Sequence, residues 1–307
     1  ETLAVTLTNN TMEQKYINLK LGQVDSKLDN KVSLELELLN DTESWSKSWE
    51  EKLLQADFAL VSWMGTGLCC PFLKQASKFM QKHSVKHYFK IMDAGDDLLE
   101  KGISNIEKKT LLNYLTYGGI KNYSNLWRWL ASTFAKISCS YDEPQSMPWS
   151  GIYHPQHQTL LSTKEYLALK NKDNKPVVGM IFSREDWLWK KTSYHDVVIK
   201  IIEEQEMVPL VIFTNNMGQG EVAGCLKNSM KEFFYVDDKS VIDVLINNFV
   251  FSLTVTRSIE VAALQDLGVP ILQAYHLYNS YEWWRESYVG MSANELSYAI
   301  GLPEFDG

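Results

Sequence analysis

Few side chains in this sequence can bind a metal or carry a proton near neutral pH. There are six histidines and four cysteines among 307 residues. Cys69 and Cys70 are adjacent and no Cys-x-x-Cys occurs, so neither a disulfide framework nor a structural zinc site is indicated, and the thiols read as reduced. His83 and His87 straddle the end of a predicted helix and the start of a predicted strand, without a His-Glu-x-x-His frame. His195 opens an amphipathic helix, where a partly buried, hydrogen-bonded imidazole is the common case. His276 follows a predicted strand end, the edge at which α/β sheets bind ligands. His154 stands between Tyr153 and Pro155 in a long aromatic and proline-rich connection, and long ordered connections carry function more often than short ones. It is therefore the favoured histidine, with an imidazole able to ligate a metal or hold a proton.

Glycine clusters offer weaker signals. Gly218-Gln219-Gly220, with Gly224 beyond, misses the dinucleotide-binding spacing by one residue and reads as a flexible strand–helix connection. Gly65-Thr66-Gly67 follows a strand and lacks the Gly-Lys-Ser/Thr of a phosphate loop, but Gly65 and Gly67 can open helix N-terminal amides to an anionic group such as a propionate. No Walker sequence occurs, so this chain is not expected to hydrolyse ATP. No Gly-x-Ser-x-Gly elbow supports hydrolase chemistry.

A formal charge of −8 and a pI near 5.4 argue against nucleic acid as the main partner, since phosphate binding needs clustered Lys and Arg. No apolar run reaches the roughly 18 residues of a membrane helix, and no secretion signal opens the sequence. A soluble cytoplasmic protein is expected. The Asn-x-Ser/Thr triplets at Asn9, Asn40 and Asn122 are then chance.

The elements that must position these residues alternate. Strands are predicted at 3–7, 32–38, 58–61 and 88–92, with helices at 12–21, 45–55 and 71–83. Continuous apolar runs such as Phe58-Ala59-Leu60-Val61 suit strands covered on both faces of a parallel sheet. Two helices follow, 108–117 and 123–134, separated by Gly118-Gly119. Residues 141–157, with three prolines, read as a long connection at a domain boundary. The rhythm then restarts, with strands at 177–182, 209–213 and 269–272, helices at 194–205, 222–230 and 261–267, and shorter elements at 233–236 and 241–246. The fold class is α/β: two consecutive open-sheet lobes, flavodoxin-like and mainly parallel, at 1–150 and 151–307, joined by a helical and proline-rich connection.

Several phrases, in order, resemble the large tetrapyrrole-binding subunit of aerobic cobaltochelatase (the CobN type) and of magnesium chelatase (the H subunit). Tyr114-Leu115-Thr116-Tyr117-Gly118-Gly119-Ile120-Lys121-Asn122-Tyr123-Ser124-Asn125-Leu126 is similar to that family's helix pair. Gly151-Ile152-Tyr153-His154-Pro155, followed by Lys164-Glu165-Tyr166-Leu167, resembles its His-Pro element. Gly268-Val269-Pro270-Ile271-Leu272-Gln273, then Gly290-Met291-Ser292 and Leu302-Pro303-Glu304-Phe305-Asp306-Gly307, resemble its closing phrases. The likeness covers residues 57–307 and is weak over 1–56.

The resemblance implies the N-terminal part of a longer subunit that binds a tetrapyrrole and inserts Co2+ or Mg2+ for cobalamin- or chlorophyll-type biosynthesis. Its partners would be an AAA+ ATPase subunit, which binds the ATP, and an adaptor subunit; the fragment alone would be inactive. Insertion expels two pyrrole protons, so a metal ligand and a base are needed. The resemblance points to His154 as metal or macrocycle ligand, Glu304 as metal-delivering carboxylate and proton acceptor, and Asp306 as its orienter. Two other readings stand beside it: a tetrapyrrole- or metal-binding module without chelatase activity, and an unrelated flavodoxin-like enzyme acting on a small ligand.

Overall fold

The structure is a computed structural model that describes residues 2–8, 33–38, 47–62, 71–83, 85–91, 100–157, 161–170, 173–215, 225–249, 264–274, 281–291, 293–302 and 304. The predicted helix 12–21 lies outside them. The chain forms two compact units, Glu1–Met147 and Pro148–Gly307.

In the first unit, strands β1 (Thr2–Thr8), β2 (Ser33–Leu38), β3 (Ala56–Ser62) and β4 (Tyr88–Ile91) form one sheet in the order β2-β1-β3-β4. Every pairing is parallel. Helix α1 (Lys47–Gln55) buries Trp49 and Leu53 on one stripe, and α2 (Pro71–Lys82) opens on a proline whose missing N–H costs a first turn nothing. Phe58, Leu60, Met80 and Phe89 are buried in this core.

Helices α3 (Asn105–Tyr117) and α4 (Gly119–Thr133) complete the unit. Ser104 and Glu107 close a capping box at the start of α3, three residues upstream of the predicted 108. Helix α4 begins at Gly119 rather than 123, because Gly118 (φ 65°) and Gly119 (φ 82°) turn the chain within two left-handed residues that other side chains resist. The polar residues of this phrase bind the proline-rich connection. Asn122 Nδ2 donates to the carbonyls of Gly118 and Gln145, both at 2.8 Å, while its Oδ1 accepts from the Gln145 N–H at 2.8 Å. Asn125 Oδ1 accepts from the Asp142 N–H at 3.0 Å, and the Tyr114 hydroxyl donates to the Asp142 carbonyl at 2.6 Å. A segment without secondary structure thus finds its hydrogen bonds on a helix face.

The second unit carries a five-stranded sheet in the order β11-β10-β6-β7-β5. Strands β6 (Val177–Ser183), β7 (Val208–Thr214), β10 (Val244–Asn247) and β11 (Ile271–Gln273) are parallel. The short β5 (Gly151–Tyr153) adds antiparallel to the outer edge of β7; three residues are too few to show a period, so the sequence reads them as connection. Helices α5 (Thr163–Lys170), α6 (Arg184–Leu188), α7 (Ser193–Glu204) and α8 (Leu226–Phe233) follow in chain order, with a two-residue hairpin of β8 (Tyr235–Val236) and β9 (Lys239–Ser240) before β10. Helix α9 (Tyr281–Glu286), α10 (Ala293–Leu296) and a π-turn (Ser297–Gly301) come last.

Alternation along β6 sorts the core. Val177 and Ile181 join Leu210, Ile212, Leu226 and Phe234 on one face, while Met180 and Phe182 join Val211, Phe213 and Ile199 on the other. Gly179 admits Ile242: a Cβ there would meet Ile242 Cδ1 at 2.7 Å. Counting only parallel strands, each sheet has its second strand outside its first, then third and fourth, the flavodoxin-like order. This is the α/β fold expected from the sequence.

Candidate functional site

His154 leaves the end of β5, whose Tyr153 pairs with Val211 of β7. Because β5 runs antiparallel, His154 lies towards the amino-terminal end of β7, roughly 13 Å by strand rise from Thr214 at its carboxyl end. The chain then turns through Pro155 and Gln156, closed by the His157 N–H donating to the His154 carbonyl at 3.0 Å.

The imidazole is 2% exposed and meets two helices. From α7, Glu203 Oε1 stands 3.2 Å from His154 Nε2, and from α5, Lys170 Nζ stands 3.1 Å from the same nitrogen and donates to Glu203 Oε1 at 3.0 Å. The Gln156 N–H donates to His154 Nδ1 at 3.2 Å. That donor calls for a lone pair on Nδ1, so the proton of the neutral ring is assigned to Nε2, on the Glu203 side, and the Lys170 ammonium, which cannot accept it, donates to Glu203 instead. Burial, and then the Lys170 ammonium, hold the His154 pKa below its ordinary value, against the opposing pull of Glu203. Burial alone would raise Glu203, but Lys170 and His154 outweigh it and keep that carboxyl below the usual range. The cluster is thus Lys+, Glu− and a neutral imidazole, its charges balanced where none could stand alone.

Neighbours fix the frame. The Tyr166 hydroxyl donates to the Pro209 carbonyl at 2.5 Å, tying α5 to β7 where the strand extends past β5. Tyr153 donates to Asp196 Oδ1 at 2.7 Å, and burial first, then this carboxylate, push its phenol up to about 12. His195, 1% exposed, packs on Phe182 with centroids 4.1 Å apart and lies 3.6 Å from Asp186 Oδ2, so it is buried more deeply than the partly buried histidine the sequence suggests.

At the opposite edge, the carboxyl ends of β10 and β11 form an amide network. Asn247 Nδ2 donates to Gln273 Oε1 at 2.7 Å, Gln273 Nε2 to the Phe249 carbonyl at 2.7 Å, and Asn248 Nδ2 to the Ala274 carbonyl at 3.0 Å. Gly218, Gly220 and His276 lie outside the described residues, as do Gly65, Gly67 and Asp306. Glu304 is described and exposed, and takes no part in the His154 cluster. Among the described residues, no group of three or more His, Cys, Asp or Glu could hold a metal ion. None of their helices is long and apolar enough to cross a membrane. Sequence reasoning missed Lys170, Glu203 and His157. The first two lie 16 and 49 residues from His154, and no local pattern links them to it.

A family model described as CobN/Magnesium Chelatase matches residues 112–307. An uncharacterized protein of Methanocaldococcus jannaschii is 31% identical over 216 residues, covering 68% of this chain and 18% of its own. The aerobic cobaltochelatase subunit CobN of Pseudomonas aeruginosa is 25% identical over 194 residues, covering 63% of this chain and 15% of its own. The H subunit of magnesium chelatase from Rhodobacter capsulatus is 24% identical over 210 residues, covering 64% and 16%. This chain therefore spans less than a fifth of the length of these relatives. A solved structure, the catalytic subunit of cobaltochelatase from Mycobacterium tuberculosis, superposes with a TM-score of 0.57 over 99% of this chain and 24% of that one. At 14% identity that likeness shows the fold alone.

Proposed function

Because the chain belongs to the CobN/magnesium chelatase family, we propose that it serves as the N-terminal part of the large subunit of an ATP-dependent metal chelatase, binding a tetrapyrrole into which Co2+ or Mg2+ is inserted. The observation that carries this reading is the family match over residues 112–307, the stretch that holds the paired glycines, His154 and Glu304. Relatives named as a cobaltochelatase and a magnesium-chelatase subunit support both metals as candidates.

Insertion asks four things of the protein: to hold a flat apolar ring, to anchor its carboxylates, to deliver a cation and to accept two protons. In this reading His154 offers an imidazole nitrogen to the metal or macrocycle. Glu304, exposed beyond the π-turn, delivers the metal and takes a proton, with Asp306 orienting it. Gly65 and Gly67 open backbone amides to a ring propionate. ATP is hydrolysed by an AAA+ partner subunit, coupled through an adaptor, in the cytoplasm; this sequence carries no Walker motif of its own. The product enters cobalamin- or chlorophyll-type biosynthesis, and the chain by itself binds without turning over.

The site assignments are tested by substitution. His154→Ala and Glu304→Ala should each weaken tetrapyrrole or metal binding by the purified chain, read by tryptophan quenching and by equilibrium dialysis of the cation. If both variants bind as the parent does, the assigned roles are wrong.

A further inference from the structure

His154 and His157 are the first and fourth residues of the turn that follows β5, and they form an isolated antiparallel bridge. Residues paired this way project side chains to the same side of the ribbon. Their ring centroids are 5.0 Å apart, with planes inclined at 51°. Two imidazoles bound to one cation at about 2.0–2.1 Å bring their ring centres to roughly that separation.

His154 Nε2–H is held by Glu203, which leaves the Nδ1 lone pair on the other side, engaged among the described residues by the Gln156 N–H at 3.2 Å. A carboxylate holding the far N–H of a histidine is the usual support of a metal-ligating imidazole. His157 Nε2 is buried and has no hydrogen-bond partner among the described residues, a cost that a ligand there would relieve.

We propose that His154 Nδ1 and His157 Nε2 form a two-nitrogen holding site for the substrate cation, with Glu203 as the positioning residue that fixes the His154 tautomer, and that this site takes a first-row transition ion such as Co2+ in preference to Mg2+. The naming of the cation as substrate rests on the chelatase reading; the site itself rests on the geometry. Imidazole suits borderline transition ions, whereas Mg2+ demands oxygen ligands and keeps its waters. Lys170 neutralises Glu203, so the carboxylate orients the ring rather than joining the metal. With two protein ligands the cation keeps open positions for water or for the nitrogens of an incoming macrocycle, as a holding site must. Loading displaces one long backbone hydrogen bond, that of Gln156.

The test is titration of the whole chain with CoCl2, followed by the visible absorption of Co2+, with MgCl2 as competitor. One Co2+ per chain should bind, and Mg2+ in large excess should not displace it. His157→Gln and Glu203→Ala should each weaken Co2+ binding by about 10–100-fold with near-ultraviolet circular dichroism unchanged. Glu203→Ala should also divide the His154 imidazole between Nδ1–H and Nε2–H forms in long-range 1H–15N spectra, an effect that loss of packing alone would not produce. Because His157 is only half-buried, its variant carries the test even if His154→Gln fails to fold. Unchanged Co2+ affinity in His157→Gln, or competition by Mg2+ on equal terms, overturns the proposal. Co2+ binding with no tetrapyrrole binding removes the chelatase reading and leaves the site; tetrapyrrole binding with Co2+ indifferent to His157 does the reverse.

Discussion

At the scale of single residues, the central object is an imidazole kept neutral inside a balanced ion pair. His154 lies below its ordinary pKa, so its native ring resists the proton that the unfolded chain accepts. Its contribution to stability is complete above the ordinary value of 6.5 and is lost as pH falls from there towards the depressed native value. Glu203, lowered from 4.5, adds a loss of the same sign further into acid. The urea midpoint of the chain should therefore fall between pH 7 and pH 5, and fall less in His154→Gln; equal slopes would remove His154 from the account. Glu203→Ala leaves His154 Nε2–H and Lys170 without their shared acceptor and should cost about 1–3 kcal/mol at pH 7. His154 was legible in the sequence because it sits in an aromatic, proline-rich connection. Lys170 and Glu203 were not, because two separate helices, α5 and α7, place them beside it through long-range packing alone.

At the scale of elements, the Gly118-Gly119 phrase shows what a recognisable pattern can encode. The glycines turn α3 into α4, and Asn122 and Asn125 bind the connection back onto α4. Asn122→Ala removes three hydrogen bonds and leaves the Gln145 backbone unpaired. It should destabilise the first unit by roughly 1–3 kcal/mol, read as a lower unfolding midpoint, while Asn122→Asp, which keeps the acceptor, should lose less. In the second sheet, Gly179→Ala drives a methyl into Ile242 and should cost about 1–3 kcal/mol. Adding Ile242→Val removes the atom met at 2.7 Å and should restore part of that; no recovery would mean the strain lies elsewhere. Long strands and helices were readable from their periods. The start of α4 was not, since two left-handed glycines let a helix begin where propensity places a stop, and β5 was too short to alternate.

At the scale of the whole molecule, two units each build a parallel sheet with the same strand order. Repeated apolar runs separated by amphipathic helices made that architecture visible in the sequence, because strands covered on both faces have no polar alternation to confuse. Strand order was not visible, since it depends on which neighbour each strand finds. Neither was the placing of His154, on the amino side of β7 and away from the carboxyl edge where such sheets usually bind ligands. In the proposed reading, function attaches to a turn beside an edge strand, within a chain that spans only 15–18% of the length of its curated relatives.

The measurement that bears most directly on the proposed function is a titration of the purified chain with a metal-free corrin precursor and, separately, with a water-soluble porphyrin. Quenching of its ten tryptophans and the shift of the macrocycle absorption band report binding. The chelatase reading predicts saturable binding of one macrocycle per chain, weakened in His154→Ala. Linear, unsaturable changes with both macrocycles, identical in parent and variant, would contradict it.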